Sequence, residues 1–453
     1  MSASPSTSRW WCEHAWLGGD RVAEGVLVTV VDGIIDGIQP DSPPADHRRL
    51  RGLILPGLAN AHSHAFHRAL RSRTQRDRGS FWSWRDLMYQ AADRLTPDLY
   101  RDLARAVYTE MALAGITAVG EFHYLHHDNG GTSYADPNAM GHALIAAAAE
   151  AGIRITLLDT CYLRSGVDGA LLANGPQQRF GDGDGDRWAQ RVEALHRDST
   201  DYDHVLIGAA IHSVRAVPVA DMSSVVRWAA NSDAPLHVHS SEQTAEVEQC
   251  RAVHGCTPTA LMRDHGVLGD RTTAVHATHL TDTDVTDLRD SGTGVCFCPT
   301  TERDLGDGVG PAPDLLAGPG PFSLGSDSHA VIDLFEEARA VELDERLVRR
   351  ERGVLPASRL LESATRDGHW ALGWSRAGEL RVGARADLVA VDLNSVRTAG
   401  GGPTVENAVF AATAADVTDV VIDGRVVVTD RRHRLVTDPG RELADTISAV
   451  LGE

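Results

Sequence analysis

The sequence predicts a (β/α)8 barrel accompanied by a small composite β-sandwich domain built from both chain ends. Two observations carry this. Eight short apolar strand patterns alternate with helical patterns between Leu55 and Leu372, the periodicity switch that marks repeated βα units. β-branched hairpin patterns flank that middle on both sides. A doubly wound open sheet is the alternative, but no GxGxxG follows the first strand to support it. The expected divisions are 1–54 and 376–453 for the two parts of the β-domain and 55–375 for the barrel.

In chain order, EGVLVTVVDGIIDGI (24–38) reads as two strands around an Asp-Gly turn. The eight barrel strands are expected at 55–64, 116–124, 154–162, 204–213, 235–242, 272–279, 292–300 and 322–329. Helical patterns such as LYRDLARAVYTEMALAG and DMSSVVRWAA lie between most of them. The acidic stretch GDGDGD (181–186) lacks the ligand spacing and closing Glu of a calcium loop and reads as a barrel loop. VGARADLVAVDL and VTDVVIDGRVVV, with a second Asp-Gly turn, supply the C-terminal strands.

Composition narrows the function. The chain has 453 residues with 42% hydrophobic and 23% charged side chains, a globular balance. Its net charge of −20 argues against nucleic acid, which calls for a basic surface. No lysine occurs, so all 43 basic residues are arginine. A P-loop lysine, a Schiff-base lysine and a carboxylated-lysine metal bridge are therefore excluded. Six scattered cysteines without a CxxC pair read as reduced thiols of a cytoplasmic protein. There is no signal-peptide core at the start and no apolar run long enough for a membrane span.

Polar, metal-capable residues close nearly every barrel strand, at the end where such barrels build active sites. The first strand ends in His62-Ser63-His64, whose two imidazoles share one side. The fifth offers His237 and His239, one of which can complete a three-His set, and then Glu242. The eighth ends in Ser326-Asp327. Three histidines and a carboxylate suit zinc with a position left open for water. The sixth strand offers His276 and His279 to polarise a substrate, and Glu242 can carry a proton to a leaving nitrogen. Taken singly, an HxH is more often structural and Glu242 could be a helix N-terminal carboxylate. Together at strand ends they point to chemistry.

LPGLANAHSH, the strand-5 His followed by Glu, the strand-6 His and the strand-8 Ser-Asp resemble the amidohydrolase superfamily, in its mononuclear-zinc deaminase branch. HSHAFHRAL, SFWSWRDLMY, AVGEFHYLHHD, IHSVRAV and CPTTERDLGDG are similar to the formimidoylglutamate deiminases within it. The resemblance spans the chain. It implies hydrolysis of N-formimino-L-glutamate to N-formyl-L-glutamate and ammonia in histidine degradation, with one Zn2+ per subunit (Fe2+ the alternative) and a homodimer. It implies zinc ligands His62, His64, His239 and Asp327, with His237 a strand neighbour. Asp327 and His276 would activate water, and Glu242 would protonate the departing nitrogen. His67, Arg85, Tyr124, His212 and Arg215 fall in substrate-recognition motifs; His67 departs from the pattern, which commonly has Gln there. The side-chain chemistry agrees, because a substrate with two carboxylates needs cations, and Arg85 and Arg215 are suitable bidentate partners. The rivals are a deaminase of guanine, S-adenosylhomocysteine or another heterocycle, and a non-catalytic metal-binding barrel. A base would want stacking and edge donors rather than two arginines, and a mere metal site needs neither Glu242 nor His276.

Overall fold

The computed structural model describes residues 6–75 and 81–453; the side chains at 81–83, 85 and 86 also lie outside the described set. The chain first lays down β1 (Thr7–Trp16), β2 (Val22–Val31), β3 (Ile34–Gln39) and β4 (Arg48–Pro56). The barrel strands follow: β5 (Leu58–Ser63), β6 (Ile116–His123), β7 (Arg154–Cys161), β8 (Val205–Ile211), β9 (Leu236–Ser240), β10 (Thr272–His276), β11 (Gly294–Phe297) and β12 (Phe322–Leu324). The chain ends with β13 (Leu388–Val391), β14 (Val417–Ile422), β15 (Arg425–Thr429) and β16 (Arg432–His433).

Both chain ends form one mixed sheet in the order β16-β15-β14-β13-β4-β1-β2-β3. The ends are spliced where β4 pairs parallel with β1 and antiparallel with β13. Along β2, alternation buries Val26, Val28 and Val30 on one face. The turns at Asp32-Gly33 (φ 48° and 80°) and Asp423-Gly424 (φ 48° and 73°) place both central residues in the left-handed region. That is the hairpin geometry for which Asp-Gly is preferred. The sheet curls until its edge strand β3 meets the segment leading into β13: Ile35 N donates to Ala384 O and Ala386 N to Gly33 O, both at 2.8 Å. The expected sandwich is thus a single sheet folded over a core that includes Trp10, Val28, Ile54, Leu388 and Val421.

The barrel sheet is parallel throughout and runs β12 to β5 without interruption. All eight expected strands are present. The first starts later than its pattern, at Leu58, because Leu53–Pro56 pair with β13 in the mixed sheet. The strand at 292–300 ends early because Pro299 opens the helix Pro299–Leu305. The helix Pro97–Leu113 begins where Thr96 accepts from Leu99 N and proline fills the first turn. The barrel closes between its first and last strands: Asp327 N donates to His62 O at 3.0 Å and His64 N to Asp327 O at 3.3 Å. Asn60 Nδ2 donates to Ser326 Oγ at 2.7 Å across the same seam. Gly325 is required there, since a Cβ would stand 2.7 Å from His62 Cβ. Closure therefore sets the strand-1 histidines beside the strand-8 aspartate.

The mixed sheet shares an apolar core with the barrel through Val389, Val417 and Val420. A buried Arg154–Asp387 ion pair locks the two together, and Arg154 Nη1 also reaches Asp423 Oδ2 at 3.2 Å. All six cysteines are free thiols. Among the described residues no helix is long and apolar enough to cross a membrane.

Candidate metal centre and active site

His62, His64, His239 and Asp327 converge with one ligand atom each, all within 4.8 Å of one another and all buried. His62 Nε2 and His64 Nε2 lie 3.4 and 3.3 Å from Asp327 Oδ1. His239 Nε2 lies 3.0 Å from His62 Nε2. Backbone carbonyls select the tautomers: His64 Nδ1–H donates to Phe122 O at 3.0 Å and His239 Nδ1–H to His212 O at 2.9 Å. Each Nε2 is then a lone pair aimed at the common point. Burial pushes the His62 imidazole down to about 3 and holds His239 well below its ordinary value, so both are neutral. For Asp327 burial acts upward, but the imidazoles of His62, His64 and His276 around it outweigh burial and keep the carboxylate ionised. Facing lone pairs beside a carboxylate repel unless a cation lies among them. Three imidazole nitrogens and one carboxylate are a donor set for zinc or a similar borderline ion.

Strained backbone aims two of these strand ends. Asp327 (φ 40°) and His276 (φ 69°) are non-glycine residues in the left-handed region, the kind of outlier concentrated at functional sites. The His62–His64 segment is pinned from below by Glu121, which accepts from Ser63 Oγ at 2.8 Å and Ala65 N at 2.7 Å.

His276 sits across from the four-residue set. Its Nε2 is 3.8 Å from Asp327 Oδ2 and 3.9 Å from Glu242 Oε1. Its Nδ1 faces Glu302 Oε1 at 3.4 Å. Burial acts against charging it, yet Glu242, Glu302 and Asp327 together hold it well above the ordinary histidine value. Glu242 is in turn 3.5 Å from Arg215 Nη2. The carboxylate of Asp327 therefore has one oxygen toward His62 and His64 and the other toward His276.

A pocket over this set is lined by His67, Tyr124, His212, Arg215, Glu242 and His276, with aromatic walls from Trp84, Tyr162 and Phe180. His67 Nε2 and Tyr124 OH are hydrogen-bonded at 3.0 Å. Burial holds His67 well below the ordinary histidine value, so it meets a ligand as a neutral group. Arg85 belongs to the helix Phe81–Arg94, but its side chain lies outside the described residues. A larger cavity of about 1280 Å³ opens at the opposite end of the barrel among Val205, Pro235, Thr273 and Pro321, and none of His62, His64, His239 and Asp327 lines it.

Two alternatives left open by the sequence are resolved. His237 points one layer down the same strand face and its Nε2 donates to Ala371 O at 2.9 Å, away from the metal set. His279 is half-buried and outside the cluster, leaving His276 as the strand-6 residue of the site. Sequence reasoning missed Glu302, though it lies in CPTTERDLGDG, and Arg164, which also lines the pocket. It also missed a second group, His123, His126 and Asp159. There both Asp159 oxygens accept from Arg191 at 2.8 Å, and Trp188 Nε1 adds a bond at 2.9 Å. That guanidinium already neutralises the carboxylate and repels a cation.

The amidohydrolase family matches residues 53–427. A formimidoylglutamate deiminase from Pseudomonas aeruginosa is 38% identical over 414 residues, covering 89% of this chain and 90% of the relative. The crystal structure of an amidohydrolase from Brucella melitensis superposes with a TM-score of 0.91 at 35% identity, over 98% of this chain and 100% of that one. An adenosine deaminase from Xanthomonas campestris, solved with bound zinc, gives a TM-score of 0.83 at 25% identity over 97% of each chain.

Proposed function

Because the chain belongs to the amidohydrolase family and is 38% identical to a formimidoylglutamate deiminase, we propose that it is a zinc-dependent deiminase of N-formimino-L-glutamate. The observation that carries the reading is one pocket in which Arg215 faces the His/Asp set with Glu242 and His276 between them. A short substrate whose carboxylate seats on Arg215 presents its formimino carbon to that set. The similarity to the Pseudomonas deiminase supports the same substrate.

His62, His64, His239 and Asp327 would hold zinc, which when bound supplies Lewis-acid activation of water near neutral pH. The residues of the chain do the rest. Asp327 Oδ2, the oxygen turned to His276, accepts the proton that water loses as it adds to the formimino carbon. His276 Nε2 lies within reach of both carboxylates and donates to the oxygen on which charge develops. Glu242 delivers a proton to the terminal nitrogen; as the C=O bond forms, the hydroxyl proton replaces it on Glu242, the proton held by Asp327 completes the departing group, and the carbon–nitrogen bond breaks. Ammonia leaves and N-formyl-L-glutamate remains. Arg215 binds a carboxylate, Arg85 is proposed for the other, and the His67–Tyr124 pair and His212 give neutral hydrogen bonds.

The test of this orientation is Arg215→Ala. KM for formiminoglutamate is expected to rise about 100-fold, with a smaller fall in kcat through the lost contact to Glu242. A mutant with wild-type KM contradicts the assignment. The second reading is deamination of a heterocycle. The aromatic walls and the likeness to an adenosine deaminase favour it. A guanidinium on the pocket wall favours a carboxylate instead.

A further inference from the structure

We propose that Arg164 is a further anion-binding residue of this pocket, a second guanidinium beside Arg215 that acts in addition to the Arg85 proposed above for a dicarboxylate. The proposal rests on reading the pocket as a dicarboxylate site, and it adds a residue that no sequence motif singled out. Arg164 follows β7 and Arg215 follows β8, so neighbouring strands deliver them to one wall. One carbonyl ties the two loops together: Leu163 N and Arg164 N donate to Ala216 O at 2.8 and 2.9 Å, immediately beyond Arg215.

The base of Arg164 is held in a small hairpin. Arg164 bridges antiparallel to Leu171, and Ser165 Oγ donates to Leu171 O at 2.9 Å. The guanidinium itself is under-used. Its Nη1 donates to Leu163 O at 2.8 Å, and among the described residues it has no acidic partner at ion-pair distance. Other interior arginines differ. Arg191 is shared by Asp159 and Asp182, Arg154 by Asp387 and Asp423, and Arg179 is capped by backbone carbonyls. In a chain with 63 acidic residues against 43 arginines, a half-buried arginine that lines a pocket and pairs with no carboxylate among the described residues is out of pattern. A cation drawn from water and left unpaired is costly, and an anionic ligand removes that cost. A dicarboxylate brings two negative charges into one small pocket, and guanidinium groups at two adjacent strand ends strengthen the side of the pocket that faces them.

The experiment compares the zinc-loaded wild type with Arg164→Met and with Arg164→Gln, which keeps a donor for the Leu163 carbonyl but no charge. Calorimetry reads the affinities for glutarate and for butyrate, with zinc content and thermal denaturation confirming intact protein. Wild type is expected to prefer glutarate, and both variants to lose about 10- to 100-fold in glutarate affinity while butyrate changes less. KM for formiminoglutamate should rise by a similar factor with kcat within about threefold. A folded variant that keeps the wild-type glutarate-to-butyrate ratio overturns the proposal, as does a wild type without that preference. If wild type releases no ammonia from formiminoglutamate, the reaction assigned above fails, while the glutarate ratio still decides Arg164.

Discussion

Asp327→Asn should abolish turnover, with kcat down at least about a thousandfold and zinc retention weakened. The substitution keeps the size of the side chain and changes only its charge and donor pattern. Both changes strike where the structure leaves no slack. One Asp327 oxygen stands 3.4 and 3.3 Å from the Nε2 atoms of His62 and His64, and an amide NH2 turned that way would donate to those nitrogens and offer no lone pair to a cation. The other stands 3.8 Å from His276 Nε2 and, as an amide, could not take a proton from water. The backbone of Asp327 is also part of the barrel seam, through hydrogen bonds to His62 and His64, so the fold holds the new side chain in the same place. Metal analysis of the purified variant and steady-state ammonia release check the two halves separately. Near-wild-type kcat with full zinc content would contradict both roles.

Glu242→Gln should reduce kcat by about 10²- to 10⁴-fold while KM stays within a few-fold and zinc content is unchanged. Glu242 lies outside the four-residue metal set, which predicts intact metal binding. Its neighbours are Arg215 at 3.5 Å and His276 at 3.9 Å, so it stands where a proton can pass between the reacting centre and the pocket wall. Glutamine preserves the packing and a contact for Arg215 but carries no transferable proton. A variant with kcat within about threefold of wild type would leave the leaving nitrogen to another donor.

Much of this site is legible in the chain because strand ends in a parallel barrel converge. His62, His64, His239, His276 and Asp327 each follow an apolar strand pattern, and closure of the sheet brings them together without further information. Even the choice between His237 and His239 follows a physical rule, since residues two apart on one strand face sit in successive layers and only the later one reaches the mouth. Glu302 and Arg164 are a different case. Glu302 reaches His276 from a helix that starts just after β11, 26 positions along the chain, and nothing in its spacing marks that meeting. Arg164 matters because its loop is tied to the one carrying Arg215 through Ala216 O, a contact between strands that sequence periodicity does not encode. The strand limits were also blurred. Leu53–Pro56 continue the apolar run into β5 but pair with β13, so composition alone hides the point where the chain passes from one sheet to the other.

Ammonia release from N-formimino-L-glutamate by the purified, zinc-loaded protein tests the account most directly, with guanine, S-adenosylhomocysteine and adenosine run alongside. Rapid release from formiminoglutamate, leaving N-formyl-L-glutamate, with no release from the three heterocyclic substrates, is the predicted result. Release from a heterocycle and none from formiminoglutamate would keep the barrel and its metal set and contradict the carboxylate-binding role given to Arg215.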